Sequence, residues 1–152
     1  MTKVFTGASM SLDGYIAGPA ETGFEHLFKW YGNGDVVVET THPELTTRMT
    51  EVSAEHFRNL RDMTGALVVG RKLFDSTGGW SGNHPLGVPV ARQCLDAGLL
   101  DEIWVDLVPV LLGGGTSFFD ELGSAPVELE GPVSVAEGTD VTHLRYRVRK
   151  AA

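Results

Sequence analysis

The sequence predicts an α/β domain, and three observations carry that expectation. Short β-rich runs alternate along the chain with stretches of helical period. "DEIWVDLVPVLLGGG" is the strongest strand: Ile103, Val105 and Leu107 face one way, and Trp104, Asp106 and Val108 the other. "THLRYRVRK" alternates Thr142, Leu144, Tyr146 and Val148 with His143, Arg145, Arg147 and Arg149. That is the pattern of a half-exposed antiparallel strand whose arginines blunt a sheet edge.

The remaining elements follow in order. "KVFTGAS" is a short run, polar only at its threonine and serine, that suits a strand buried on both faces. Asp13-Gly14 breaks it sharply, and apolar character resumes at Tyr15, Ile16 and Ala17. "GPAETGFEHLFKWYGNGD" has no sustained period and reads as loop with one helical turn. Val36 to Glu39 is a short strand, and "THPELTTRM" is loop-like. A helix is expected from Ser53 to Met63, with Phe57, Leu60 and Met63 at three-to-four spacing. Thr50 or Ser53 caps its start and Gly65 ends it. Ala66 to Val69 is a short apolar strand running into "RKLFDS", a short helix. "TGGWSGNHPLGVP" is loop, and "ARQCLDAGLL" is helical, with Leu95 and Leu99 on one side.

Composition narrows the function classes. At 152 residues the chain has the size of one domain and needs no staples to hold a core. A net charge of −8 disfavours nucleic acid and anionic membrane as main partners. One cysteine, Cys94, excludes an intrachain disulfide framework and suits a reducing compartment. No apolar run approaches the roughly 20 residues that span a bilayer, and the N-terminus shows no signal-peptide pattern. The expectation is a soluble cytoplasmic domain.

Three stretches bear on chemistry. "ALVV" ends at Gly70, and Arg71-Lys72 open the next helix. Unpaired N–H groups at a helix start, a glycine and two cations suit a phosphate; the same residues also make an ordinary solvated helix start. Gly113-Gly114-Gly115 follows the strongest strand. Three glycines allow backbone to approach a ligand or another strand, or form a flexible hairpin loop. Asp13 and Gly14 stand where the first strand meets a crevice beyond strand ends. Asp13 either orients a ligand amide or supplies a proton, or only makes an Asp-Gly turn.

Together, "ASMSLDGYIAG", "GALVVGRKLFD" and "LLDEIWVDLVPVLLGGGTSFFDEL" resemble the bacterial dihydrofolate-reductase-like family related to the C-terminal reductase domain of the bifunctional riboflavin-biosynthesis protein. The resemblance runs from the first strand to the last; its specificity lies in the combination and order. It implies a three-layer α/β fold with a central mixed sheet flanked by helices, a homodimer, and NADPH as hydride donor. It implies that Ala8, Asp13, Gly14 and Ile16 line the nicotinamide and substrate side. Gly70, Arg71, Lys72 and Leu73 would hold cofactor phosphate, and Leu112, Gly113 and Gly114 would stand near the mouth of the site. No metal is implied.

Two departures matter. The riboflavin enzymes carry an acidic pair before a proline in the loop after the Gly-Arg helix; here "GNHPLGV" places Asn83 and His84 there. His84 is a candidate proton donor, or an exposed loop histidine. Related chains also place a strand, a helix, another strand and a phosphate loop before a helix like "ARQCLDAG". Here "GVPV" meets "ARQ" directly at Val90–Ala91. A βαβ unit takes roughly 30 residues, so such a segment is expected to be missing from the single domain 1–152. Either the protein lacks part of the cofactor cradle, or the segment is encoded and absent from these residues. Deleting an interior strand strands unpaired backbone, which favours the second.

Three functions are compatible with these residues. The first is an NADPH-dependent reductase of a small heterocyclic or carbonyl substrate, with Asp13 and His84 as catalytic candidates. The second is the riboflavin-pathway reductase acting on a phosphoribosylaminopyrimidine, against which Asn83 and His84 argue. The third is a nucleotide-binding or structural homodimer without catalysis.

Overall fold

The computed structural model of the chain describes residues 1–40, 43–78 and 91–150. In chain order the elements are β1 (Phe5–Ser11), β2 (Tyr15–Ala17), α1 (Phe24–Leu27), β3 (Val36–Val38), β4 (Thr47–Met49), α2 (Glu51–Met63), α3 (Arg71–Thr77), α4 (Ala91–Asp96), β5 (Glu102–Val108), β6 (Thr116–Ser117), β7 (Leu129–Gly138) and β8 (Val141–Val148). Single 3-10 turns stand at Pro19–Glu21, Lys29–Tyr31 and Pro43–Leu45.

The main sheet is mixed and runs β1-β5-β8-β7. β1 pairs parallel to β5, from Phe5 opposite Glu102 to Ser11 opposite Val108. β8 runs antiparallel to β5, with Trp104 opposite Arg145 and Asp106 opposite His143. β7 runs antiparallel to β8. Period-two alternation sends Ile103 and Val105 into one core with Leu95 of α4, Leu100 and Phe118. It sends Trp104, Asp106 and Val108 to the other face, where Val108 joins Leu27, Trp30, Met49 and the α2 residues Ala54 and Phe57. Helices therefore cover both faces. Trp104 and Val108 are buried by the chain's own elements, so the two apolar faces of β5 require no second subunit to cover them.

α2 forms where its period and cap agree. Thr50 is the cap: its hydroxyl accepts the Ser53 N–H at 3.4 Å. Ser53, Ala54 and Phe57 make the buried stripe. The helix starts two residues before the expected Ser53 and ends at Met63, with Thr64 rather than Gly65 at its C-cap.

Several expectations are corrected. Ala66–Val69 does not form a strand; Leu67 is 45% and Val68 71% exposed. An apolar run becomes a strand only where an edge accepts it, and this run makes no ladder pair. β8 is not a sheet edge, because β7 covers it, and Arg145 turns inward to pair with Glu102. β7 itself was hidden: Gly131-Pro132 interrupt its run, and its register shifts between Glu130 and Ser134. Thr47–Met49 in the expected loop is β4, antiparallel to β3. Among the described residues no helix is long and apolar enough to cross a membrane.

Candidate functional site

The turn after β1 is tied to the glycine loop after β5. Gly14 adopts φ 92°, open to glycine without strain. The Ser11 hydroxyl donates to Asp13 Oδ1 at 2.6 Å and accepts the Tyr15 N–H at 2.9 Å. The Leu112 N–H donates to Asp13 Oδ1 at 3.1 Å, and the Gly113 N–H to Oδ2 at 2.8 Å. The Ser11 hydroxyl foremost, against a small burial penalty, and then the Gly113 and Leu112 amides hold the Asp13 carboxyl below its usual range. Asp13 thus clamps two chain segments together. Gly115 shows why one glycine is needed: at φ 119° it packs so closely that a Cβ would overlap the Ala17 carbonyl, where β6 pairs with β2.

Beside this clamp, along β1, lies a cleft of about 160 Å³. Gly7, Ala8 and Ser9 of β1 form one side; His56 and Leu60 of α2, Trp104 and Asp106 of β5, Ile16, Phe28, Tyr31 and Leu73 close it. The cleft brings together three of the expected residues, Ala8, Ile16 and Leu73. Asp13, Gly14, Gly70, Arg71 and Leu112 to Gly114 do not line it, and the Lys72 side chain lies outside what the structure describes. Gly70 caps α3 with no side-chain cap bond. Arg71, its side chain 88% exposed, pairs with Asp75 one turn on, Nε to Oδ2 at 2.8 Å. Asn83, His84 and Val90 lie outside the described residues.

The cleft floor holds a polar cluster that sequence reasoning did not assemble. Asp106 Oδ1 lies 2.9 Å from His56 Nε2 and 2.8 Å from His143 Nδ1. The two imidazoles stack, centroids 4.0 Å apart and planes 16° off parallel. His143 Nε2 is 3.0 Å from the Ser53 hydroxyl. Burial works against ionisation of Asp106, but the hydrogen bonds and charges of His143 and His56 outweigh it and hold the carboxyl low. Burial, and then the charge of Asp106, push the Tyr31 phenol well above its usual value. Trp30, buried beside the cluster, donates to the Ser9 hydroxyl at 3.1 Å.

What can this cluster do? Ser53, His143 and Asp106 have the spacing of an acyl-transfer triad. Yet Ser53 is fully buried and His143 is 3% exposed, so no acyl group reaches the hydroxyl. His56, Asp106 and His143 offer a two-histidine, one-carboxylate donor set. Both nitrogens sit at hydrogen-bond length from one oxygen, however, and the set satisfies itself without an ion. His56 and Asp106 both line the cleft over β1, and His56 also lines a second one of about 150 Å³ with Asn59, His143, Trp104 and Arg145.

A separate buried acid, Glu102, is structural. Its oxygens meet Lys3 Nζ, Arg145 Nη2 and Nε, each at 2.8 Å, and the Trp104 indole at 3.1 Å. Burial opposes its charge, but Arg145, Lys3 and Trp104 bring its pKa down to about 2. Arg145 also lies 4.9 Å over the Trp104 ring.

A protein assigned to riboflavin biosynthesis from Shewanella sp. PV-4 aligns at TM-score 0.55 and 17% identity, covering 99% of this chain and 100% of its own. RibD of Acinetobacter baumannii aligns at TM-score 0.50 and 14% identity, covering 98% of this chain; the chain spans 58% of that protein's length. The fold is dihydrofolate-reductase-like. No family model matches the chain, and no curated protein matches it by sequence.

Proposed function

We propose that this chain is an NADPH-dependent reductase of a small ring substrate carrying a C=N or C=O bond. The observation that carries the reading is the cleft over β1: apolar walls from Ile16, Leu60, Leu73 and Trp104, with the polar groups of Ser9, His56 and Asp106 in its floor. Gly7 and Ala8 keep the β1 side nearly free of side chain, which suits a flat ring laid against the strand. NADPH, when bound, supplies the hydride. In this reading Asp13 holds the rim by fixing the Leu112–Gly113 amides, and Gly14 and Gly114 keep that rim low. Gly70, Arg71 and Lys72 take the cofactor phosphate. The Arg71–Asp75 pair is no obstacle, since an exposed ion pair is worth about 0–1 kcal/mol. A homodimer is part of the proposal.

The fold likeness to riboflavin-biosynthesis proteins supports a second reading, the reductase of that pathway acting on a phosphoribosylaminopyrimidine. Asn83 and His84 in place of an acidic pair argue for a different substrate. The test is NADPH oxidation followed optically against aminopyrimidine sugars, pterins and small quinones. Turnover of a pterin or quinone supports the first reading, and turnover of the aminopyrimidine alone the second. NADPH binding without turnover of any of them points to a non-catalytic nucleotide-binding protein.

A further inference from the structure

We infer that His56 is the proton donor of the reduction, poised by Asp106 and backed by His143. This rests on the reductase reading above. His56 stands at the floor of the cleft, with its Nε2 2.9 Å from Asp106 Oδ1. Its side chain is 12% exposed, where that of His143 is 2% exposed. A proton donor needs both properties: contact with the ligand space and a partner that fixes its orientation. His143 has the partner but does not line this cleft; Asp13 spends both carboxylate oxygens on its own chain.

The groups around His56 are few. Asp106 on β5 supplies the negative charge. His143 on β8 stacks on the ring at 4.0 Å and shares the same carboxylate oxygen. Trp104 on β5 lies 5.6 Å away, with Arg145 of β8 on its ring. Tyr31 shares the cleft wall with its phenol held protonated. Arg145 stands behind the indole, where Glu102 pairs with it.

The nicotinamide, when bound, would supply the hydride to the carbon of the C=N or C=O bond, leaving the π pair on nitrogen or oxygen to be protonated. The doubly protonated His56 ring gives its Nδ1 proton to that atom and keeps its Nε2–H on Asp106. The substrate would gain the hydride and this proton as the nicotinamide is oxidised, and solvent reprotonates His56. Asp106 and His143 act through His56 as positioning residues. His143 anchors the carboxylate with Nδ1–H, while its Nε2 accepts from the Ser53 hydroxyl.

The test is the pH dependence of kcat in wild type, His56→Gln and Asp106→Asn, with NADPH affinity and melting temperature measured on each. Wild type is expected to lose rate as pH rises and the imidazolium deprotonates. His56→Gln is expected to lower kcat by about 100- to 10,000-fold, abolish that alkaline limb, and bind NADPH as wild type does. Asp106→Asn is expected to lower kcat with NADPH affinity as in wild type, because the His56 ring loses the carboxylate that fixes it. If Asp106→Asn fails to fold, His56→Gln alone decides. His56→Gln turning over within a few-fold of wild type, with the same alkaline limb, overturns the inference and leaves the reductase reading standing. Wild type that binds no NADPH overturns both.

Discussion

Asp13 shows how a residue's role changes once its partners are known. As a bare Asp-Gly turn, Asp13→Asn would be silent, because asparagine tolerates the same backbone. The carboxylate instead accepts the Leu112 and Gly113 amides and the Ser11 hydroxyl. An amide there puts an NH₂ against an N–H donor on one side or the other. We predict that Asp13→Asn lowers the melting temperature and loosens the glycine loop, seen as faster amide exchange at Leu112 and Gly113. Unchanged exchange would contradict the clamp. Glu102 gives a pH signature. Its pKa falls from an ordinary 4.5 to about 2 on folding, so it stabilises the fold above pH 4.5 and loses that stabilisation as pH falls toward 2. The linkage amounts to about 3 kcal/mol. Glu102→Gln should flatten the denaturant midpoint against pH across that window; an undiminished acid slope would mean other carboxylates carry it.

At the scale of elements, the strands with clean period two were legible, and those defined by their partners were not. β1, β5, β8 and the helices α2, α3 and α4 stand where their patterns put them. Ala66–Val69 has a strand's composition but no edge to join, and β7 has an edge but Gly131-Pro132 in its run. The site followed the same rule. Ala8, Ile16 and Leu73 were legible as part of the family motifs. Asp106 and His143 stood in plain view on β5 and β8, but only the register that sets them opposite each other joins them. An acid in the middle of a run as apolar as "IWVDLV" was the one available signal, since a buried carboxylate needs partners. His56 gave none, because its helix period marked Phe57, Leu60 and Met63 instead. Two element-level changes follow. Thr50→Ala removes the α2 cap and should cost about 1 kcal/mol in urea unfolding; no loss would show that the cap is idle. Arg71→Ala at the start of α3 should erase any preference for NADPH over NADH in calorimetric titration, because Arg71 is proposed to meet the extra phosphate.

For the whole molecule, both faces of β5 are covered from within one chain, while β7 at the end of the sheet is exposed from Leu129 to Val135, so the proposed homodimer has a surface there. Leu67, Val68 and Phe74, 45%, 71% and 51% exposed, are a second apolar surface open to such a partner. Light scattering should give a dimer at micromolar concentration, and a monomer would refute the assembly. The unpaired run at Ala66–Val69 also fits the proposal that a strand–helix–strand segment is missing at Val90–Ala91, and sequencing the gene across that junction tests it. The central claim is that the cleft over β1 receives a reduced nicotinamide. Its most direct test is calorimetric titration of NADPH into wild type and Leu73→Trp, whose added ring fills the cleft from its α3 side. The account predicts saturable binding to wild type at one NADPH per chain, lost in Leu73→Trp with the melting temperature unchanged. No heat with wild type, or equal affinity in a folded Leu73→Trp, would contradict it.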